Sequence, residues 1–366
     1  MRLPRRWRYR EMTNISVIPP IGATLNAKPH YSHIALARGL SIVLVAFGHS
    51  ALADMHVAAE ALGVVRMPFF FLLAGLFFAP PSNLMHYCRK KSIVLLSPYF
   101  FVLTAIGIKQ WLAGGDLLSY LSGMLYGNGQ TIAWTPLWFL PHLFLLYSLA
   151  ALTLGHAAFR RLQHWQQYLI TVVWLIVAGA VLNIMQIHVF ATAAGLLHTG
   201  LPWGADFAPV SLGYFALGYL LRQQFVQAQF SLIKLIGFTA LFCALVYLLN
   251  AAVDFNLRLY TPALLLPVII LPGCFMLLQF ALLLSQVPLL SKAFTLCGRY
   301  SLYILIFHVF LQQVLSRHLG NAALWQQATV LVGSVVLSVA AGWCIRRVVL
   351  LRYCFEPLNA GVGVTR

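Results

Sequence analysis

Acidic residues are scarce in this chain of 366 residues, which has 7 Asp and Glu against 24 Lys and Arg. Charged residues make up only 8% of the sequence and hydrophobic residues 61%, whereas a soluble domain has about 25% charged residues. This composition excludes an ordinary soluble globular protein. The long apolar runs predict an all-α, polytopic membrane protein that sits in a lipid bilayer.

Several motifs that define other functional classes are also missing. The six cysteines are scattered and form no CxxC pair, so neither a disulfide framework nor a thiolate metal site is expected. There is no P-loop, no internal repeat and no appended soluble domain. Because no soluble domain is visible, we expect the membrane domain alone to carry the function. We also expect no metal. The sequence carries no signal for an oligomeric state.

The hydropathy pattern predicts about ten transmembrane helices. Most basic residues then fall on one side of the membrane, and the positive-inside rule makes that side cytoplasmic, with both termini there. No acidic residue falls within a predicted span. The predicted limits are 33–53, 64–80, 92–112, 134–155, 166–188, 207–221, 233–253, 261–285, 299–317 and 324–345.

The predicted spans divide the chain into a basic cytoplasmic arm at 1–32, a ten-helix domain at 33–345 and a cytoplasmic tail at 346–366. The arm contains five arginines within its first ten residues and no apolar core run, so the first span is expected to act as an uncleaved anchor. Basic residues of this kind orient the protein and contact anionic lipid. We do not expect nucleic acid as a partner.

Arg38 and His49 form an ionisable pair within the first predicted span. They lie eleven positions apart, which on a continuous helix returns them to within ~20° of one face, ~16 Å apart along the axis. We therefore expect both side chains to face one cavity. A guanidinium near the cytosol suits a phosphate-bearing cofactor, and an imidazole deeper in the span suits proton transfer or attack on an acyl carbon. An Arg38 that only snorkels to headgroups is the alternative.

Three further residues in predicted spans are candidates for the site. Arg66 enters the membrane from the outer side, where it converges with His49 or anchors a headgroup. Trp138 opens the fourth span and either stacks on a sugar ring or belongs to an interfacial aromatic belt. His308 lies near the middle of the ninth span, where an ionisable residue is usually functional.

A basic run precedes the third span on the cytoplasmic side. Arg89, Lys90 and Lys91 are placed to attract the phosphates of the phosphate-bearing cofactor. The alternative is that they only set the topology, as cytoplasmic Lys and Arg commonly do.

Four motifs follow one another along the chain. They are Arg38-Gly39-Leu40 with Gly48-His49-Ser50, Arg66-Met67-Pro68-Phe69-Phe70-Phe71 with Ala74-Gly75, Trp138-Phe139-Leu140, and Gly298 with Ser301-Leu302 and His308. In this order they resemble the motifs of the membrane acyltransferase-3 family, in particular its sugar O-acetylase branch. The chain departs from the family pattern at Ala74, where a serine is usual, and at Val94, where a second basic residue is frequent.

The resemblance implies a multi-pass enzyme of the bacterial inner membrane. It would transfer acetyl from cytosolic acetyl-CoA to a hydroxyl of a surface or exopolysaccharide sugar, free or lipid-linked. On this reading His49, Arg38 and His308 are catalytic, and Arg38, Arg89, Lys90 and Lys91 bind the donor. Arg66 and Trp138 would bind the acceptor. A transporter or flippase for a lipid-linked or acylated sugar is the alternative, since midplane histidines and broken helices also suit a carrier.

Overall fold

The computed structural model describes residues 32–54, 57–192 and 200–357. Nearly all of the predicted basic arm, up to residue 31, and the end of the predicted tail at 358–366 lie outside these residues. The described chain is all-α apart from one small β-hairpin, in agreement with the predicted fold class.

The first half of the described chain contains eight α-helices and a short 3₁₀ helix over Thr135–Trp138. The helices are α1 (Ser32–Phe47), α2 (Ala51–Asp54), α3 (Val57–Leu76), α4 (Leu84–Leu112), α5 (Leu117–Tyr126), α6 (Phe139–Thr153), α7 (Ala157–Arg161) and α8 (His164–Thr192).

The second half begins with a 3₁₀ turn at Pro202–Gly204 and contains a two-stranded antiparallel hairpin, in which Val253 pairs with Tyr260. The strands are β1 (Ala252–Asp254) and β2 (Leu259–Thr261). The helices are α9 (Ala208–Leu220), α10 (Arg222–Val226), α11 (Leu232–Leu248), α12 (Leu266–Ser285), α13 (Pro288–Arg299), α14 (Ser301–Leu319), α15 (Leu324–Arg347) and α16 (Val349–Phe355).

Seven segments of the described chain are long and apolar enough to cross a membrane. The protein is therefore a polytopic membrane protein. The three remaining predicted spans correspond to shorter helices, namely α1, α9 and α11. The 13 residues of α9 cover only about 20 Å at 1.5 Å per residue, less than a hydrocarbon core of roughly 30 Å. Ten crossings and cytoplasmic termini stay predictions.

The first predicted span is not one continuous helix. Helix α1 ends at Phe47, and a turn over Gly48, His49 and Ser50 leads into α2. The Ser50 hydroxyl donates to the Phe47 carbonyl at 2.6 Å, because a serine side chain competes for backbone groups and favours helix ends over helix interiors. His49 is therefore carried by the turn beyond α1.

Helices α1 and α3 occupy the interior of the bundle. Helix α1 packs against α3, α12, α13, α14 and α15. Its closest approach is to α13, where a Cβ built on Gly39 would collide with the Phe294 carbonyl and one on Gly298 would collide with the Ala35 carbonyl. Small residues are what allow two helix backbones to come this close in a membrane protein. The crossing fixes α1, and with it the start of the turn that carries His49.

Helices α4, α8, α11 and α15 lie at the periphery and leave large apolar side chains exposed. Such faces suit contact with lipid rather than water. They include Ile108 and Trp111 on α4, Val173 and Val177 on α8, Ile233 and Leu248 on α11, and Val332 and Val336 on α15.

Candidate active site

A cavity of about 230 Å³ opens at the end of the bundle where α1 stops. Its walls come from the end of α1, from α3, from the 3₁₀ helix before α6, and from the β-hairpin. The side chains that matter for chemistry are His49, Arg66, Trp138 and Asp254, and Phe70, Phe139 and Phe255 supply aromatic surface. Polar groups that converge in an apolar pocket are the usual form of a small-molecule site.

His49 and Arg66 lie side by side in this cavity. The side chain of His49 is exposed, although it belongs to an apolar bundle, because it faces the opening. The Arg66 guanidinium lies against the backbone of Gly48, where it fills the space that a Cβ would need. The structure thus brings together two of the predicted site residues.

His308 lies directly behind His49. Its ring is fully buried on α14, and the two ring centroids are 5.3 Å apart. The His308 Nδ1 is 2.6 Å from the Ile304 carbonyl oxygen, and since that oxygen can only accept, Nδ1 must carry the proton and donate it. The other nitrogen, Nε2, then presents a lone pair. It is buried without a hydrogen-bond partner in the described chain.

Gln312 lies one turn further along α14 and holds the end of α1. Its side-chain amide Nε2 donates to the Ala46 carbonyl at 2.9 Å, and the same carbonyl accepts from the His49 amide at 3.2 Å. The last carbonyls of a helix have no partner within the helix and need such donors. The sequence analysis missed Gln312, because residues 266 positions apart leave no local signal.

Trp138 lies in the wall of the cavity and is only 7% exposed. This burial excludes the alternative of an interfacial belt, whose tryptophans face the lipid headgroups. Its ring contacts His142, with ring centroids 5.8 Å apart. His142 itself is fully buried and contacts the Trp203 carbonyl and the Ser211 hydroxyl, each at 3.0 Å.

The β-hairpin, whose first strand packs against α3, forms part of the cavity wall. Asp254 at the end of β1 accepts hydrogen bonds from the backbone amides of Asn256 and Leu257, at 2.8 and 3.0 Å. Arg258 pairs with Asp206, with 2.7 Å between Nε and Oδ2, and both side chains are almost completely buried. Hydropathy placed this segment between two spans, and three-residue strands are too short for periodicity to detect.

Arg38 does not line this cavity. It lies toward the other end of α1, where it interacts electrostatically with Tyr147 and Lys91. The Lys91 ammonium lies 3.6 Å from the centre of the Tyr147 ring and 5.5 Å from that of Tyr87. The expectation that Arg38 and His49 share one cavity is therefore not met, because α1 ends before His49 and the two sites lie at different depths.

The other members of the basic run differ from Lys91 in their surroundings. Arg89 is exposed and Lys90 is half-buried. Among the described residues, neither Arg38 nor Lys91 forms a salt bridge with a carboxylate. Neighbouring cations without a counter-ion have the charge that suits an anion. No group of three or more His, Cys, Asp or Glu side chains in the described ranges is arranged to hold a metal ion.

Comparison with known proteins agrees with the motifs. The acyltransferase domain of the acyltransferase-3 family matches the chain over residues 32–347. Searches of curated proteins and of solved structures gave no match. The family match covers most of the chain. It includes the cavity that His49 lines and the group formed by Arg38, Lys91 and Tyr147, here called the Arg38 cluster. The chain therefore belongs to the acyltransferase-3 family of membrane acyltransferases.

Proposed function

We propose that the protein transfers an acyl group, acetyl in the first instance, from cytosolic acetyl-CoA to a hydroxyl of a bacterial surface or exopolysaccharide sugar. The pair of histidines is the observation that carries this proposal. The exposed ring of His49 faces the cavity, and behind it lies the Nε2 of His308, which has no hydrogen-bond partner in the described chain. Such a pair suits removal of a proton from a hydroxyl. Family membership supplies the acyl chemistry.

In the proposed reaction His49 is the general base. One of its ring nitrogens faces the cavity and takes the proton of the acceptor hydroxyl, and the other donates to His308 Nε2 after a small rotation of the exposed His49 ring. The oxygen then attacks the thioester carbonyl, the carbon–sulfur bond breaks, and the proton passes from His49 to the leaving thiolate. His308 is a positioning residue, because its Nδ1 bond to Ile304 fixes the tautomer that can accept from His49.

Arg66, rather than Arg38, is placed to stabilise the oxyanion that forms at the thioester carbon. Its guanidinium lies beside His49, and its Nε is buried without a hydrogen-bond partner in the described chain. A charged donor in a site with little water stabilises developing charge strongly. This assignment adds a role to Arg66, which the sequence placed only among the acceptor-binding residues.

Arg38 and Lys91 form the proposed donor site. Two cations without a carboxylate partner in the described chain suit the phosphates of coenzyme A. Nine positions separate Arg38 from Phe47, where α1 ends, and at 1.5 Å per residue they cover about 14 Å, which an extended thioester arm would span to reach the turn that carries His49. The donor would then enter at the Arg38 end, from the cytosol, and the sugar at the His49 end. Arg89 and Lys90 would only attract the donor at longer range.

The transporter alternative loses support, because the chain belongs to a family of acyltransferases. We place the enzyme in the bacterial inner membrane, with a glycan or lipid-linked sugar as the second substrate.

The test is His49→Ala in purified protein reconstituted in lipid vesicles with labelled acetyl-CoA and polysaccharide from a strain that lacks the gene. We expect glycan acylation to fall by about 10²- to 10⁴-fold, the usual contribution of a general base. His318→Ala is the matched control, since His318 is an exposed histidine at the end of α14. Acylation at the wild-type rate in the His49 variant would overturn the assignment.

A further inference from the structure

The turn of the β-hairpin is held in one conformation before any ligand binds. The Arg258 guanidinium donates to the Asn256 carbonyl at 2.9 Å and is itself held by the buried carboxylate of Asp206. On the cavity side, one carboxylate oxygen of Asp254 accepts two backbone amides of the same turn. A side chain fixed in this way is suited to select a ligand, because little conformational freedom is lost on binding.

Asp254 and Arg66 are residues of opposite charge in the lining of the cavity. Both line the cavity and they interact electrostatically, yet they form no salt bridge. The second carboxylate oxygen of Asp254 has no hydrogen-bond partner among the described residues. Two residues of opposite charge that line one cavity and are not paired with each other leave a donor and an acceptor available to a polar ligand.

A hydroxyl is the group that satisfies both residues. It donates to a carboxylate and accepts from a guanidinium, and it carries no charge that either would repel. An anionic sugar would meet the Asp254 carboxylate, and a cationic one would meet Arg66. The aromatic rings of Phe70, Trp138 and Phe255 on the same walls suit the apolar face of a sugar ring.

The size of the cavity limits what enters it. Its volume of about 230 Å³ is below the roughly 300–1,000 Å³ of pockets that hold drug-sized ligands. One sugar unit is therefore the expected occupant, with any further units outside the opening.

We propose that Asp254 is the specificity residue for the acceptor and selects an uncharged sugar that presents two neighbouring hydroxyls. The reacting hydroxyl donates its proton to His49, and its neighbour lies between Asp254 and Arg66, where it donates to the carboxylate and accepts from the guanidinium. This inference rests on the proposed function, since it names the acceptor class for the same site.

The test compares Asp254→Asn with wild type in two measurements. The first is acyl transfer from labelled acetyl-CoA to methyl glucoside, methyl galactoside and methyl glucuronide, and the second is binding of the same glycosides by saturation-transfer NMR. Asparagine retains the oxygen that accepts the turn amides but removes the charge. We expect kcat/KM for the neutral glycosides to fall by about 10- to 100-fold, as for loss of a charged hydrogen bond, and the relative preference for the glucuronide to rise.

Asp116→Asn is the matched control, because Asp116 is an exposed carboxylate that caps α5 and does not line the cavity. Equal kinetics and equal binding in the two variants would overturn the role of Asp254, as would a wild type that binds none of the three glycosides. Binding that depends on Asp254 in a wild type that transfers no acetyl group would support the acceptor site and overturn the proposed function.

Discussion

His142 and His308 are both completely buried in an apolar bundle, yet their surroundings differ in one respect. Both ring nitrogens of His142 have partners, since Nδ1 donates to the Trp203 carbonyl and Nε2 accepts from the Ser211 hydroxyl. His308 uses only Nδ1, and its Nε2 is left without a hydrogen-bond partner beside His49. Burial alone therefore does not distinguish a histidine that holds the fold together from one that belongs to a reaction site.

The cost of an unpartnered buried nitrogen explains why this difference is informative. Leaving a buried polar atom without a hydrogen bond costs roughly 1–3 kcal/mol, and most buried polar atoms in proteins are therefore satisfied. The His142 position has no such cost, whereas the His308 position has it in the resting protein. We expect a proton or a ligand group to meet Nε2 during turnover.

The largest expected effect on folding comes from His142→Leu. This change leaves the Trp203 carbonyl without its donor, while the Ser211 hydroxyl retains the Phe207 carbonyl, and we expect the free energy of unfolding to fall by about 1–3 kcal/mol. Denaturant unfolding in detergent micelles measures it. An unfolding free energy equal to that of wild type would show that the two hydrogen bonds of His142 do not stabilise the bundle.

The same substitution at the second histidine should separate activity from stability. His308→Leu removes an unsatisfied nitrogen, so the free energy of unfolding should stay within about 1 kcal/mol of wild type, while kcat for acyl transfer falls by roughly 10²-fold. The donor KM should not change, because His308 lies away from the Arg38 cluster. A parallel loss of stability and activity, as expected for His142→Leu, would remove the contrast between the two positions.

A smaller effect is expected one turn beyond His308, at Gln312→Leu. Loss of the bond to the Ala46 carbonyl frees the turn that carries His49, and we expect kcat to fall by about 10-fold, as for one lost hydrogen bond. Gln313→Leu is the matched control, since Gln313 is the exposed neighbour on the same helix. Equal rates in the two variants would mean that α14 acts on His49 only through His308.

The long apolar helices could be predicted from the sequence, but their ends and the short elements could not. Helix α4 ends at Leu112, as predicted, but it begins at Leu84 and not at residue 92, because its basic first turns extend beyond the apolar window. The amphipathic α13 was missed for the same reason, since its lysine and arginine interrupt hydropathy. Helix α5, capped by Asp116, lies between the third and fourth predicted spans, where no helix was predicted.

For the site, the sequence supplied the residues but not their grouping. His49, Arg66, Trp138 and His308 all lie in or beside the cavity, whereas Arg38 belongs to a separate cluster with Lys91. The prediction that Arg38 and His49 face one cavity assumed a continuous helix. It failed because α1 ends at Phe47, before His49. The proposed role of Asp254 depends on the hairpin and on the buried salt bridge between Arg258 and Asp206. That salt bridge joins residues far apart in the sequence, so no local pattern predicts it.

The position of the Arg66 guanidinium in the site depends on the small size of Gly48. Its φ is not positive, so the glycine is needed for space and not for a special conformation, and alanine would fit its backbone. The added methyl group would, however, occupy the place of the Arg66 guanidinium. Because that guanidinium is the end of a flexible side chain, it would swing away at little cost to folding. Gly48→Ala would therefore remove the Arg66 guanidinium from its place beside His49, as a substitution of Arg66 itself would, although every ionisable residue stays in the sequence.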